Sequence, residues 1–293
     1  MTILVTGARG MIGSVLVNEL ISRGHSVVGV GRSGDSRQED HYRFYRLDLS
    51  DKTALQEIIE FNHVDRIIHL AALAHQEGQA DLSWARYQRE NVDCAKNVFA
   101  CAGERPVLFI STIDVYGFFD GGKPVTGETP IAPVSDYGKS KALAERECQL
   151  LSRYTIFRLC PVYTAENKRD IQKRYYLKPP YLAYRVGKGT EFEVLDVNRA
   201  AKAMADWCEE EPCNDIRIIK DPTLLWSPDY IRAERSAGRA KIVLYVPRWC
   251  VNAGYAVLKA LLGENEKTYL LNKLVHPLRT EQANDLHKTG ADT

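Results

Sequence analysis

Thr2-Ile-Leu-Val-Thr-Gly-Ala-Arg-Gly-Met-Ile-Gly-Ser14 is the stretch that decides the fold, because a short β-branched run leads directly into three glycines spaced three residues apart. Gly7 permits a tight turn from strand to helix, and Gly10 leaves room for a pyrophosphate against the backbone. Gly13 lets the following helix pack closely on the strand, and the positive N-terminal end of that helix favours phosphate. The stretch therefore predicts a dinucleotide site; a glycine-rich turn without a ligand is the alternative.

The segments that follow alternate between short apolar runs and amphipathic helical patterns. Strands are predicted at residues 27–30, 43–47, 66–70, 107–111 and 154–158, and helices at about residues 51–62, 81–102 and from 136 onwards. This alternation predicts an α/β fold, a Rossmann-like doubly wound parallel sheet with helices on both faces. We expect a cofactor-binding domain over residues 1–163 and a small C-terminal substrate lobe over residues 164–293, partly interleaved with the first.

The charge balance and the cysteines exclude several classes of protein. Lys and Arg number 39 against 38 Asp and Glu, so no bulk charge attracts nucleic acid. The seven cysteines are scattered without a CxxC pair, which argues against a disulfide framework or a metal site and fits a reducing cytoplasm. We therefore expect a cytoplasmic protein that binds small molecules at local sites.

The apolar stretches do not predict a membrane protein. No basic and apolar leader precedes the first strand, so secretion is not expected. The late apolar stretch at residues 246–262 is too short and too polar to span a bilayer. We interpret it as a packing helix, with contact to a membrane surface as the alternative.

Gly31-Arg32-Ser33 follows the second predicted strand, where the ribose of an adenosine is expected. A site that prefers NAD usually offers a carboxylate to the ribose hydroxyls at this position. The absent acid and the guanidinium of Arg32 suit a 2′-phosphate instead, so NADP(H) is the favoured cofactor and NAD(H) the second choice. The alternative is that Arg32 stacks on the adenine or points to solvent.

Tyr137 and Lys141 lie four residues apart on a predicted helix, so their side chains share one face. A phenol with a pKa of ~10 is a poor base at neutral pH, but a nearby ammonium stabilises the phenolate. The two residues therefore predict an acid/base pair. Thr112, at the end of a predicted strand, could donate a hydrogen bond to the same reacting oxygen, with a nicotinamide alongside for hydride transfer.

Residues 168–188 form a basic, tyrosine-rich stretch with seven Lys or Arg against Asp170 alone on the acidic side. Such a stretch could cradle a diphosphate with its cations and stack a base on tyrosine. We take Lys173, Arg174 and Arg185 as candidate substrate ligands. A solvated helix with tyrosines packed at its rim is the alternative.

In their order and spacing, these motifs resemble the extended short-chain dehydrogenase/reductase family, in its nucleotide-sugar epimerase/dehydratase/reductase branch, over about residues 1–262. The matching motifs are Thr6 to Gly13, Asp48-Leu49, His69 to Ala72, Asn91-Val92, Ser111 to Gly117, Tyr137 to Lys141 and Arg158 to Tyr163. The resemblance implies catalysis by Thr112, Tyr137 and Lys141.

The remaining site residues also come from the resemblance. Besides Tyr137 and Lys141, the implied cofactor contacts are Gly7, Arg9, Gly10, Met11, Ile12, Gly13, Arg32, Asp48, Leu49, Leu70, Ala71, Ala72, Asn91 and Cys160. The expected substrate contacts are His75, Asp114, Tyr163, Lys173, Arg174 and Arg185. No metal is expected.

Two departures from the family pattern affect the expected reaction. The family's 4,6-dehydratases carry an acid where this chain has Ile113, and isoleucine cannot protonate a leaving hydroxyl. An arginine that many relatives use to hold the diphosphate falls near Gly189, with Lys188 beside it. Dehydration is therefore disfavoured, and another basic residue must hold the diphosphate.

The expected function is reduction of a 4-keto-6-deoxy sugar nucleotide for surface-polysaccharide synthesis. An enzyme that consumes NADPH needs a cofactor that leaves, whereas an epimerase keeps its NAD bound through both half-reactions. A nucleotide-sugar 4-epimerase with the same residues is the main alternative. A sugar-free ketone or aldehyde as substrate and an inactive NAD(P)-sensing protein are two others, and a homodimer is the expected assembly.

Overall fold

The glycine loop lies between β1 (Thr2–Thr6) and α1 (Met11–Ser22), as the sequence predicts. The computed structural model describes residues 1–74, 83–165 and 167–281, which fall into two compact units. The first unit consists of Met1–Val115, Ser135–Leu159 and Val197–Ile216. The second consists of Tyr116–Val134, Cys160–Asp196 and the chain from Arg217 on. The division of labour between a cofactor domain and a substrate lobe at residue 163 stays a prediction.

Strands and helices alternate along most of the first unit and are shorter in the second. In chain order, the further elements are β2 (Ser26–Gly31), β3 (Arg37–Glu39), β4 (Tyr42–Arg46), α2 (Lys52–Phe61), β5 (Arg66–His69), α3 (Trp84–Tyr87), α4 (Cys94–Ala100), β6 (Val107–Thr112), α5 (Asp136–Cys148), β7 (Tyr154–Leu159), β8 (Val162–Tyr163), α6 (Arg169–Gln172), β9 (Tyr176–Lys178), β10 (Leu182–Val186), β11 (Glu191–Phe192), β12 (Leu195–Asp196), α7 (Val197–Glu209), β13 (Asp215–Ile219), β14 (Leu225–Trp226), α8 (Ser227–Ser236), β15 (Ile242–Val246), α9 (Arg248–Leu262) and α10 (Glu266–Val275).

Eight strands form one sheet in the order β13-β7-β6-β5-β1-β2-β4-β3. The neighbouring strands from β7 to β4 are parallel, and β3 runs antiparallel to β4. The chain winds outward from β1 in both directions, through β2 and β4 on one side and through β5, β6 and β7 on the other. The structure therefore confirms the predicted Rossmann-like doubly wound sheet, and it adds the edge strand β3, which the sequence did not predict.

Helices cover both faces of this sheet. On one face, α2, α4 and α5 pack over a core that includes Leu4, Phe109 and Ile156. Ile3 and Val5 alternate with Leu4 and are fully buried, so their side chains point to the opposite face, where α1 packs against α7. A sheet buried on both faces explains why its central strands read as continuous apolar runs.

The long helix predicted at residues 81–102 is not continuous over the residues that the structure describes. α3 passes into a π-helix at Gln88–Asp93, and α4 begins only at Cys94. A π-turn inserts one extra residue and rotates the side chains that follow it, and such turns are frequent at functional sites. The π-helix carries Asn91, whose side chain is buried.

The basic, tyrosine-rich stretch does not form the solvated helix weighed as an alternative above. It contains the short helix α6 and the strands β9 and β10, and β10 pairs with both β9 and β15 in a three-stranded sheet. Tyr175 and Tyr176 are buried in a core with Ala183 and Ile231. The Tyr176 hydroxyl donates a hydrogen bond to Glu234 at 2.9 Å, so its ring can be buried with its polar tip satisfied.

The late apolar stretch is a helix, but it differs from the packing helix that we expected. None of the fifteen residues of α9 is buried, because the helix packs against α10 along one side only. None of the helices in the described ranges is long and apolar enough to cross a membrane.

A buried ion pair joins three elements of the first unit. Glu145 on α5 accepts two hydrogen bonds from the Arg158 guanidinium on β7, at 3.2 and 2.8 Å, and a third from the Ser111 hydroxyl on β6. The Glu145 and Arg158 side chains are 2% and 4% exposed. Ser111 and Arg158 are direct neighbours in the register of β6 and β7, so the pair fixes α5 against both strands.

We predict that Glu145→Met lowers the free energy of unfolding by about 3–5 kcal/mol, because it removes the carboxylate that pairs with the buried Arg158 charge. The double variant Glu145→Met/Arg158→Met should recover most of that loss. Urea denaturation measures the free energy of unfolding of both variants. Arg232→Met, at the exposed Arg232–Asp229 pair, is the control and should change that free energy little. Equal losses in the single and double variants would contradict the prediction.

Candidate active site

The glycine loop has the close geometry that the sequence predicts. Gly7 has a φ of 71°, and a Cβ on it would lie 2.9 Å from the backbone nitrogen of Ala71 at the end of β5. A Cβ on Gly13 would lie 2.2 Å from the Gly7 carbonyl oxygen. Gly10 caps α1 without a side-chain hydrogen bond, so no side chain covers the backbone at the start of that helix. These contacts leave a cradle of bare backbone at the carboxyl ends of β1 and β5.

Asn91 joins the segment after β5 to the helix that carries Tyr137. Its side-chain oxygen accepts a hydrogen bond from the Leu73 amide at 2.6 Å, and its side-chain nitrogen donates to the Leu73 carbonyl at 3.0 Å and to the Ser140 hydroxyl at 2.9 Å. Ser140 in turn donates to the backbone carbonyl of Tyr137 at 2.8 Å. The cofactor contact expected of Asn91 stays a prediction, and its positioning of α5 is a finding that the motif match did not supply.

Arg32, at the end of β2, forms an ion pair with Glu90 of the π-helix. The Arg32 side chain is half exposed, whereas that of Glu90 is 11% exposed. Asp48 lies close enough to Arg32 for their charges to interact. Hydrogen bonds from Ser50 hold the pKa of Asp48 below its usual range, and the Arg32 charge lowers it further. The carboxylate that β2 itself lacks is therefore supplied to this position by Glu90.

The other predicted cofactor residues of the first unit surround the glycine loop and the ends of β4 and β5. The Arg9 guanidinium lies 5.2 Å from the centre of the Phe44 ring. Met11 and Ile12 open α1. Leu49 is buried in the sheet core, and Leu70 and Ala71 are half-buried directly after β5, followed by the exposed Ala72.

Thr112, Asp114 and Tyr137 lie where β6 ends and α5 begins. The Thr112 hydroxyl oxygen accepts a hydrogen bond from the Asp114 amide at 3.2 Å. Ser135 caps α5 by accepting from the Gly138 amide at 2.9 Å, and its hydroxyl donates to the Asp114 carboxylate. The Asp114 carboxylate therefore helps to hold the start of α5, which carries Tyr137, whereas the substrate contact expected of Asp114 stays a prediction.

Lys141 is buried at 2% exposure, one helical turn after the half-buried Tyr137. Its Nζ atom lies 4.1 Å from the centre of the Phe109 ring. Burial lowers the pKa of Lys141 to about 7, although the carboxylate of Glu145 acts in the opposite direction. Near neutral pH this side chain is therefore poised between its charged and neutral forms.

His69 lies on β5 beside the same phenylalanine, a neighbour that the sequence motifs did not indicate. The rings of His69 and Phe109 are stacked with their centres 5.7 Å apart, and His69 Nδ1 lies 2.7 Å from the Thr6 hydroxyl. Burial, and secondarily the Lys141 charge, lowers the pKa of His69 to about 3, so this ring is neutral at physiological pH. The i to i+4 spacing of Lys141 and Glu145 was the available signal for the charges around this site.

The remaining candidates lie in the second unit or outside the described residues. The Tyr163 hydroxyl donates to Asp221 at 3.1 Å, and the guanidinium groups of Arg174 and Arg185 lie over the rings of Phe192 and Tyr245. Lys173 is exposed, and Cys160 is buried, which raises the pKa of its thiol to about 12. His75 lies outside the described residues. The substrate and cofactor contacts of this group stay predictions.

We predict that the stability of the protein reports the titration of Lys141. Below pH 7 the folded protein holds a charged Lys141 ammonium in apolar surroundings, which lowers the free energy of unfolding. This destabilisation disappears as the pH rises from about 7 to the ordinary lysine pKa of 10.5, because the folded protein releases the proton before the unfolded chain does. The advantage of Lys141→Met over the wild type in free energy of unfolding should therefore shrink over that range, by a few kcal/mol at roughly 1.4 kcal/mol per pKa unit. Urea denaturation across the pH range measures it.

The exposed Lys139, on the same helix, provides the matched control for this titration. The variant Lys139→Met should differ from the wild type by an amount that hardly changes with pH. A pH-independent difference between Lys141→Met and the wild type would show that Lys141 titrates normally.

Comparisons with known proteins agree with this geometry. The chain is 32% identical over 168 residues to UDP-glucose 4-epimerase 2 of Oryza sativa subsp. japonica, covering 52% of this chain and 41% of that protein. It is 27% identical over 194 residues to the UDP-glucose 4-epimerase of Bacillus subtilis (strain 168), covering 61% and 53%. The matched stretches thus span about half the length of these relatives.

Solved structures share the fold at lower identity. The UDP-Glc/GlcNAc 4-epimerase from Campylobacter jejuni is 19% identical with a TM-score of 0.72, covering 94% of this chain and 98% of that one. The UDP-glucuronic acid 4-epimerase from Bacillus cereus, in complex with NAD, is 21% identical with a TM-score of 0.69, covering 84% and 87%. The family model described as NAD dependent epimerase/dehydratase matches residues 3–208, well over half of the chain, and the protein therefore belongs to that family.

Proposed function

We propose that this protein is a nucleotide-sugar 4-epimerase that retains NAD. The observation that carries the proposal is the placement of a buried lysine, Lys141, one turn after Tyr137 on a helix that Glu145 fixes against the end of β6. Thr112 ends that strand, and Ile113 beside it offers no acid, which disfavours dehydration. The two relatives named above, from Oryza sativa and Bacillus subtilis, are UDP-glucose 4-epimerases, which supports the same class of reaction.

The residues of the glycine loop fit a dinucleotide. The cradle at Gly7, Gly10 and Gly13 is made of backbone that a Cβ would fill, and the N-terminal end of α1 favours a pyrophosphate. A nicotinamide bound in this fold supplies hydride transfer to and from the sugar C4. The chain itself must therefore move the proton of the C4 hydroxyl and hold the sugar while the transfer occurs.

Tyr137 takes up and returns that proton in the proposed mechanism. A positive charge on Lys141 stabilises the phenolate, and this effect is large because Lys141 is shielded from water. The Thr112 hydroxyl donates a hydrogen bond to the same sugar oxygen, which orients the C4 centre. Because each group serves both directions of transfer, one set of side chains suffices, and the configuration at C4 inverts when the 4-keto sugar turns over between the two transfers and receives the hydride on its opposite face.

The ion pair between Arg32 and Glu90 favours NAD(H) over NADP(H). An arginine at the end of β2 suits a 2′-phosphate, but this guanidinium is already neutralised by a largely buried carboxylate. Glu90 can accept a hydrogen bond from a ribose hydroxyl, as a carboxylate at the end of β2 does in other NAD sites. A retained NAD in turn suits an epimerase, which needs its oxidised cofactor back after each turnover.

Reduction of a 4-keto sugar nucleotide with NADPH is the second candidate. Gly31-Arg32 favours it, since β2 carries no carboxylate of its own at its end. The two candidates share Thr112, Tyr137 and Lys141 and differ in whether the cofactor stays bound.

We predict that the purified protein carries NAD and interconverts the C4 epimers of a UDP-hexose. Tyr137→Phe should reduce turnover at least a hundredfold, since general acid/base catalysis contributes about 10²–10⁴ in rate, while bound NAD remains. Chromatography of the nucleotide that acid releases measures the bound NAD, and a coupled epimer assay measures turnover. Tyr45→Phe, which removes a hydroxyl paired with Asn62 in the same unit, is the control and should keep turnover.

An empty protein that oxidises NADPH only when a 4-keto sugar nucleotide is added would establish the reductase instead. Full activity of Tyr137→Phe would overturn the assigned acid/base in either case.

We predict that Glu90→Gln shifts the cofactor preference towards NADPH, because it releases the Arg32 guanidinium to contact a 2′-phosphate. A charge-assisted hydrogen bond is worth about 1.5–3 kcal/mol, so the ratio of the Kd values for NADH and NADPH should change roughly ten- to hundredfold. The double variant Glu90→Gln/Arg32→Ala should lose this shift. Fluorescence titration with both reduced cofactors measures it, and a wild type that already prefers NADPH would contradict the role given to Glu90.

A further inference from the structure

α9 presents an apolar face to solvent. At about 100° per residue, six of its exposed side chains fall within roughly 140° of arc. These side chains, which we call the α9 apolar face, are Trp249, Ala253, Ala256, Val257, Ala260 and Leu261. Trp249, Val257 and Leu261 are 71%, 59% and 76% exposed.

The opposite side of α9 packs against α10. Val251, Tyr255 and Leu258 are half-buried, and the Tyr255 hydroxyl accepts a hydrogen bond from Asn272 of α10 at 3.2 Å. A surface helix normally turns its apolar side inward and its polar side to water. Here apolar residues lie on both sides, so the outward side is left for an external partner.

The edge strand directly before α9 extends this exposed apolar surface. β15 pairs with β10 on one side, and Ile242, Leu244 and Tyr245 are 57%, 43% and 61% exposed. Pro247 alone separates β15 from α9. Tyrosine and tryptophan are the residues that prefer the boundary between water and lipid, since each ring is apolar with one polar atom.

The charge of this segment is of one sign. Residues 235–263 contain five cations and no Asp or Glu: Arg235, Arg239, Lys241, Arg248 and Lys259. Arg239 pairs with Glu234, and Lys259 pairs with Glu264. Within the described part of the chain, the other three have no acidic partner. Arg185, which lies over the Tyr245 ring, is another exposed cation on the three-stranded sheet. We call Arg185, Arg235, Lys241 and Arg248 the basic border.

We infer that the α9 apolar face and its basic border bind the surface of an anionic lipid bilayer. A bilayer supplies negative charge, which attracts the cations of the border, and an apolar layer for the exposed side chains. Fifteen residues of α-helix extend about 22 Å, less than the hydrocarbon core, so α9 lies in the plane of the surface.

A second copy of this chain fits the same surface less well. In a two-fold dimer the same patch meets itself, so cations of the border would face cations. Like charges across an interface oppose association. The inference concerns the second unit and does not depend on the reaction proposed for the residues of the first.

The test uses the purified full chain and two kinds of vesicle, pure phosphatidylcholine and a mixture with a third of phosphatidylglycerol. We expect at least tenfold more protein to float with the anionic vesicles, and 0.5 M salt to weaken that binding as the charges are screened. Trp249→Asp/Leu261→Asp should reduce it at least tenfold. Phe61→Asp/Leu150→Asp, which replaces two exposed apolar residues of the first unit, is the matched control and should leave binding unchanged.

Three outcomes would overturn the inference. Equal loss in both double variants, or no preference for anionic vesicles, would show that the α9 apolar face is not a lipid site. A concentration-dependent dimer in sedimentation equilibrium that Trp249→Asp/Leu261→Asp abolishes, with no vesicle binding by the wild type, would assign the surface to a second copy. Bound nucleotide and turnover, measured in every variant, keep this test separate from that of the proposed reaction.

Discussion

The buried ion pair of Glu145 and Arg158 is the interaction on which the geometry of the candidate site depends. It joins α5 to β6 and β7, and the Ser111 hydroxyl contributes a further hydrogen bond to the same carboxylate. Thr112 follows Ser111 on the strand, while Tyr137 and Lys141 lie two turns and one turn before Glu145 on the helix. A single carboxylate therefore fixes the end of β6 relative to the helix that carries Tyr137 and Lys141.

The same carboxylate also sets the electrostatics of the site. Lys141 lies among apolar rings where an isolated ammonium would be costly, and Glu145 is the nearby charge that favours its protonated form. His69, on the other side of Phe109, stays neutral and adds no competing positive charge. The site thus keeps one titratable cation in a dry environment, where its charge acts strongly on a neighbouring phenol.

The sequence predicted those features that depend on residues close together in the chain. The turn at Gly7 and the parallel strands follow from local patterns of glycine and apolar residues. The break in the helix at Gln88–Asp93 does not follow from such a pattern. One extra residue in a turn shifts the apolar pattern at a single point and leaves a helical period on both sides of it. The burial of Tyr175 and Tyr176 in the second unit was not predicted for another reason: tyrosine suits both a rim and a core, and Glu234, 58 residues from Tyr176, supplies the buried hydrogen-bond acceptor.

Cofactor choice shows most clearly why a local reading of the chain is incomplete. The end of β2 contains an arginine and no acid, and taken alone it favours a 2′-phosphate. The carboxylate comes from Glu90, 58 residues later, on a π-helix that also directs the adjacent Asn91 towards Leu73 and Ser140. Glu90 and Asn91 are consecutive residues of this turn, yet Glu90 pairs with Arg32 while Asn91 bonds to Leu73 and Ser140. The irregular turn therefore joins the end of β2 to the helix that carries Tyr137.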